Sequence, residues 1–397
     1  MGYIQWELKD FLRNKKNLLI YVLFFSVSLY YAFFQSSDYK PIERVNESEI
    51  LTRYEDQKEF LDNVEVGEGT HPMTAFAAHV FPELNQYDKG RLDALKDKDY
   101  TKYSKMTSNW YRYMDEIIYF NEFDSLRYNP KYYSYGNRFA KYDGHYGYNV
   151  SATEYQAYAK ADYPLSIDIF NKQTALQTLE RLLNQGLISI LLVLTFLLTN
   201  DIVTKDRLYP SIVEGFPISS FKKLLYKSLV AFIGTLFLLI LMVPAFILIG
   251  IKNGFGNLKL PVVVYDFEFL NLGNFYTISM GHYLVQVFSL FLIWVGIIIG
   301  LVILSSILFK NEYVNLIFIS VLFIGSAYLQ RGTMINEYVS YFFTTYADIG
   351  NIVIGKSNYL YYLDTPSFKF GVLILGLTLL VIILIDIILV KFTKKLT

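Results

Sequence analysis

The 397-residue chain contains no cysteine, which excludes disulfide frameworks, thiolate metal sites and cysteine nucleophiles together. Charge is scarce as well: 18% of residues are charged against 53% hydrophobic, and the mean hydropathy is +0.29. Soluble domains usually carry about 25% charged residues, so this composition points to a membrane protein. Neither sign dominates, with 36 lysines and arginines against 36 aspartates and glutamates. There is therefore no basic excess to attract nucleic acid and no acidic excess of a disordered, solvating chain. Enzymatic signatures are scarce too. HExxH and GxSxG do not occur, no nucleophile lies at motif spacing from a base, and the spelling GxxxxGK occurs once, from Gly350 to Lys356.

The charge balance hides a partition. Residues 35–181 hold 24 of the acids and 18 of the bases, leaving 12 and 18 for the other 250 positions, so one polar domain interrupts a hydrophobic chain. A helix needs about 20 apolar residues to cross a bilayer. Six stretches qualify: 17–34, 182–200, 228–251, 282–309, 313–330 and 370–390. The third contains Pro244, which predicts a kink, since the ring removes one helical hydrogen bond. The first is long, aromatic and without a small-residue cleavage site, so it reads as a span and not as a cleaved signal.

Lysine and arginine concentrate in short cytoplasmic loops, and this fixes the orientation. With the N-terminus inside, thirteen basic residues fall in cytoplasmic segments and five in the two short outer loops, 252–281 and 331–369. The expected fold is an all-α polytopic membrane protein with six transmembrane helices. Both termini, including the tail 391–397, are cytoplasmic, and residues 35–181 form a mainly helical extracellular domain. That domain has 18 tyrosines, seven phenylalanines and Trp110, enough aromatic mass for a core. A helix is predicted over 92–126, a glycine-punctuated loop over 129–148, and a helix from Thr174 running straight into the second span. The tyrosines suit either a recognition surface for a peptide or glycan, or core and membrane-interface packing. Within residues 1–16, Ile4, Leu8, Phe11 and Leu12 share a helical face opposite Glu7, Lys9, Asp10 and Arg13, the pattern of an interfacial helix.

The loop 201–227 is the most informative segment. A charged stretch, Lys205, Asp206 and Arg207, is followed by Glu214, Gly215 and Phe216, then Pro217, Ile218 and Ser219, with Lys227 at the start of the third span. This arrangement resembles the cytoplasmic loop of ABC-2 type exporter permeases, and the order of amphipathic helix, external insertion and six spans is similar to theirs. The resemblance implies that residues 205–217, with Lys205, Asp206, Arg207, Ile212, Glu214, Gly215, Phe216 and Pro217, form a coupling helix docked on a separate ATPase. Two copies of that ATPase, supplying the ATP and Mg chemistry, and a second permease copy or paralogue would complete the assembly. It also implies re-entrant helices within 331–369. The plainer alternatives are a solvated basic loop at 201–227 and an ordinary aromatic belt formed by Tyr338, Tyr341, Phe342, Phe343 and Tyr346.

Two weaker signals remain. His71 and His79 lie near Glu65, Glu68 and Glu83, but without metal-ligand spacing, and Asp143 with His145 is weaker still. Asp386 is a carboxylate inside a span, near its inner end, and suits either proton coupling or a structural pair with a basic group. No cofactor is expected in the chain itself. The expected function is ATP-driven export of an amphiphilic or hydrophobic cargo, a peptide, antimicrobial or lipid-like molecule, across the plasma membrane of a Gram-positive bacterium. The alternative is a non-transporting membrane scaffold or receptor whose external domain binds a peptide or glycan.

Overall fold

Residues 2–120, 126–134, 136–208, 215–268, 273–309, 311–317, 320 and 337–392 are described by a computed structural model of the protein, with the side chains of residues 207, 208, 337 and 392 outside the description. Five helical stretches among them are long and apolar enough to cross a membrane, so the chain is a predominantly helical, membrane-embedded protein. Backbone polar groups in hydrocarbon must be satisfied within the segment, which is why each long apolar run is a helix.

Helix α1, Tyr3–Arg13, turns at Asn14 into α2, Lys15–Tyr30, and the Asn14 side chain caps α2 by accepting from the Lys16 amide. A π turn, Tyr31–Gln35, ends this first membrane helix. The polar domain follows with α3, Glu47–Asn63, α4, Pro72–Lys96, α5, Tyr100–Phe120, and α6, Ala140–Tyr158. The helix expected over 92–126 is thus the end of α4 and all of α5, separated at Lys98, which has a φ of +57°. The loop expected over 129–148 is helical from Ala140. Gly136 lies in the turn before it, at φ +65°, but the two helical glycines make room for rings: a Cβ on Gly144 would lie 2.0 Å from Tyr128, and one on Gly147 would lie 2.2 Å from Tyr132. Gly144 and Gly147 flatten α6 so that tyrosine rings can lie on it. Tyr103, Tyr111, Tyr148, Tyr155 and Tyr158 are buried with Trp110 and Phe170 in the same core, largely edge to face. Arg53 and Arg91 both lie over the Trp110 ring while pairing with the fully buried Asp88. These tyrosines therefore build a core and not an exposed surface.

After the short α7, Ile167–Phe170, helix α8, Ala175–Leu182, starts at a Thr174 cap. It does not continue straight into the second membrane helix. A π turn over Leu183–Leu187 contains Gly186 at φ +110°, and α9, Ile188–Thr199, begins beyond it. Only glycine adopts that backbone without strain. Helix α10, Ser220–Asn253, runs through Pro244 as one element. The loop expected over 252–281 holds two antiparallel strands, β1, Pro261–Asp266, and β2, Asn274–Ser279, with Val263 opposite Thr277. This hairpin is a small addition to the helical architecture: Val262, Val263 and Val264 are β-branched residues that favour a strand, and Gly273 at φ +89° precedes β2.

Helix α11, Met280–Phe309, is the most buried of the membrane helices and packs against α9 and α14, Phe368–Phe392. Between them lie α12, Ile349–Val353, and α13, Lys356–Tyr361. Most of the span expected over 313–330 falls outside the described residues. Tyr146 of α6 stacks on Tyr359 at 4.2 Å and meets Tyr265 and Phe275 of the hairpin, so the polar domain, the hairpin and α13 share one end of the bundle. Helix α1 lies at the other end.

Candidate functional site

At the α1 end, charged groups are buried together. Glu7 is fully buried and Lys227 is 1% exposed. The Lys227 ammonium lies 2.8 Å from Glu7 Oε2 and 2.8 Å from Asp206 Oδ1. Lys205 Nζ is 3.0 Å from Glu7 Oε1 and donates to Asp10 Oδ2 at 2.6 Å. Two lysines and three carboxylates thus join α1, the short 3-10 turn Thr204–Leu208 and the first turns of α10. An isolated charge buried at this depth would be costly, and the alternation of sign is what makes the cluster tolerable.

The sequence produces this cluster through spacing. Tyr3, Glu7 and Phe11 recur every four residues and form the buried stripe of α1. The expectation that Glu7 belongs to the solvated face is corrected: Glu7 faces the bundle because Lys205 and Lys227 meet it there. Leu12, expected on the apolar face with Phe11, is 41% exposed, as a lipid-facing residue of an interfacial helix can be. Phe11 packs where Gly234 leaves room, and Tyr21 of α2 donates to the Gly234 carbonyl at 2.8 Å. A second bond set fastens the α1–α2 corner: Lys16 donates to Asn200 Oδ1 and Asp201 Oδ1, both at 2.6 Å, and Asn14 donates to Asp201 Oδ2 at 3.1 Å. Asn315 donates to the Asn200 carbonyl at 3.1 Å and ties the chain beyond α11 to the same corner.

Of the residues singled out in the loop, Lys205 and Asp206 are in the cluster. Phe216 packs edge to face on Tyr3, with ring centres 5.1 Å apart, and beside Trp6. Gly215 and Pro217 lie in the irregular stretch before Ser219, whose hydroxyl caps α10. Ile212 and Glu214 are outside the described residues, as is the side chain of Arg207, so the expected coupling helix over 205–217 is described only at its two ends. Tyr3, Trp6, Glu7 and Asp10 were not recognised as part of the site, although the four-residue repeat of Tyr3, Glu7 and Phe11 was readable. Burial, with the Glu7 carboxylate nearby, holds the Tyr3 phenol well above its ordinary range, so it stays neutral. Nothing in the cluster pairs a nucleophile with a base. What it offers is a rigid joint, because separating a buried ion pair leaves an uncompensated charge.

At the domain end, the Gly186 break opens a polar cavity of about 360 Å³ lined by Asn184, Ser189, Asp348, Asn351 and Ser357 among others. Tyr283 donates to Asn184 Oδ1 at 2.7 Å, and Trp294 donates to the Tyr346 carbonyl at 2.8 Å. The aromatic residues expected there divide: Tyr346 is buried, Phe343 partly so, whereas Tyr338, Tyr341 and Phe342 are exposed. His71 caps α4, accepting from the Met73 amide at 3.2 Å, and Asp143 accepts from Ser134. Asp115 joins His145, Asn149 and Tyr128. Asp386 makes no ion pair with the cluster and faces a groove between α10, α11 and α14.

No protein-family model, curated protein or solved structure matches this chain.

Proposed function

We propose that the chain is the transmembrane permease subunit of an ABC-2 type, ATP-driven exporter, moving an amphiphilic or hydrophobic cargo across the plasma membrane, in a Gram-positive bacterium. The observation that carries the reading is the buried ion cluster. It makes α1, the 201–208 segment and the base of α10 one mechanical unit at the basic end of the bundle. A partner that pushed on the 205–217 loop would therefore move α1 and the third span together, which is what a coupling element must do. Lys205, Asp206, Phe216 and Pro217 transmit that motion, and Arg207, Ile212, Glu214 and Gly215 complete the loop proposed to meet the ATPase. ATP and Mg belong to the partner ATPase, present in two copies, with a second permease copy or paralogue alongside.

The proposed topology has six spans, with both termini cytoplasmic and the polar domain outside. One geometric relation favours an even number of crossings between the polar domain and α13. Asn315 lies beside Asn200 at the α1 end, while Tyr359 stacks on Tyr146 at the domain end. These two positions support the proposed span at 313–330.

A mild-detergent pull-down of tagged protein, followed by ATPase assay of the eluate, tests the reading. An ATPase is expected to accompany the wild type and to be lost from Glu214→Lys and Phe216→Asp. Absence of any ATPase from the folded wild type would sink the exporter reading and leave the scaffold or receptor alternative.

A further inference from the structure

We propose that the groove holding Asp386 binds a cationic amphiphile, with its ammonium group on the Asp386 carboxylate and its alkyl chain along the apolar walls of α10, α11 and α14. The proposal goes beyond the exporter reading and does not depend on an ATPase.

The groove has a volume of about 390 Å³, within the range of roughly 300–1,000 Å³ typical of small-molecule sites. Its walls include Leu225, Leu229 and Phe232 on α10, Ile299 on α11, and Ile383 and Ile387 on α14. Leu225, Leu229 and Ile383 are substantially exposed, so the groove opens to the side of the bundle that faces lipid in the proposed topology. A ligand can therefore enter from the bilayer without passing through the core.

Asp386 gives this apolar groove its charge preference. One of its carboxylate oxygens is buried without a hydrogen-bond partner, and Asp386 makes no ion pair among the described residues. Lys391, at the end of the same helix, is exposed and does not bridge to it. Ser228, another polar side chain of the lining, donates to the Leu224 carbonyl. The seam is set by Gly300: a Cβ there would meet Ile382 at 2.5 Å and Asp386 Oδ2 at 3.7 Å, so the missing side chain lets α14 close and holds the carboxylate against α11. Carboxylates are rare at membrane depth unless paired or wet. An uncharged hydrocarbon in the groove leaves this one uncompensated and an anion worsens it, whereas an ammonium group supplies the missing partner.

The test uses the full chain in phosphatidylcholine nanodiscs and, as the probe, a dodecyltrimethylammonium carrying a diazirine on its chain. Because the quaternary nitrogen neither titrates nor donates a hydrogen bond, the probe reads charge alone. Photolabelling mapped by peptide mass spectrometry is expected on residues 221–232 and 379–390. Unlabelled dodecyltrimethylammonium should compete, and dodecanol should not. Asp386→Asn should label at least about tenfold less, and Asp386→Glu should retain labelling, as expected for loss and retention of one charge pair. Equal labelling of Asp386→Asn, equal competition by dodecanol, or labelling mainly elsewhere would each overturn the proposal. Should Asp386→Asn fail to fold, Leu229→Trp decides, since it fills the groove from the lipid side and keeps the carboxylate. Strongly reduced labelling of that variant supports the site, and undiminished labelling overturns it. No ATP or ATPase is present, so failure here is distinct from failure of the exporter reading.

Discussion

Lys227 has carboxylates on two sides at 2.8 Å and almost no contact with water, whereas the Lys16 side chain, also ion-paired, is 34% exposed. The two should respond differently to removal. Lys227→Met strands Glu7 and Asp206 in the bundle and is expected to cost about 3–5 kcal/mol, the usual penalty for halving a buried pair. Lys16→Met leaves Asp201 able to reach water and should cost about 0–1 kcal/mol. Thermal unfolding of the purified protein in detergent measures both, and equal losses would contradict the burial described for the cluster. Lys227→Arg, which keeps the charge but changes the donor geometry, should fall between them. A prediction of opposite sign concerns Gly376, which has open space around its Cα in the middle of α14. Gly376→Ala is expected to gain up to about 1 kcal/mol from helix propensity, read in the same melting experiment.

Among the elements, the junction of the hairpin with α13 is the most tightly determined. The Tyr265 amide donates to the Ile354 carbonyl at 2.9 Å, and a Cβ on Gly355 would come within 1.9 Å of the Tyr265 carbonyl oxygen, at a φ of +70°. Gly355→Ala therefore has to part backbone from backbone. It should increase amide hydrogen exchange in β1, α13 and the Tyr146 turn of α6, with no change at the α1 end. Unchanged exchange at the hairpin would mean that this contact does not hold the polar domain to the bundle. These elements were not equally legible in the sequence. The long helices were, because hydrocarbon leaves a twenty-residue apolar run no other way to satisfy its backbone. The break at Gly186 was not, since one glycine in an apolar helix ordinarily costs only about 1 kcal/mol and gives no sign of its φ. The strands were readable in principle from Val262–Val264 and Tyr276–Ile278 flanking Gly273, but two membrane-length helices on either side drew the segment into a loop. The site divides in the same way. Lys205 and Asp206 were visible as loop charges, but Glu7, which pairs with Lys205 and Lys227, lies far away in the sequence, and no local pattern carries that pairing.

For the whole molecule, the proposed arrangement fixes which side of the membrane each exposed residue sees, and the absence of cysteine makes that measurable without background. Four exposed positions suffice: Gln5 in α1, Glu65 in the polar domain, Lys356 at the start of α13 and Lys391 at the end of α14. Each would be replaced singly by cysteine and treated with a membrane-impermeant maleimide, first on intact cells and then after permeabilisation. Glu65→Cys and Lys356→Cys should label in intact cells, whereas Gln5→Cys and Lys391→Cys should label only once the membrane is opened. The two members of each pair test different things. Reversal of all four would turn the molecule over, placing the ion cluster outside, where no cytoplasmic ATPase could dock on the 205–217 loop. Labelling of Glu65→Cys from outside together with protection of Lys356→Cys would remove the crossing assigned to 313–330, and would conflict with the stacking of Tyr359 on Tyr146. Agreement at all four positions puts the joined α1, 201–208 segment and α10 base on the side of the membrane where ATP is hydrolysed, the orientation in which force on the loop reaches the third span.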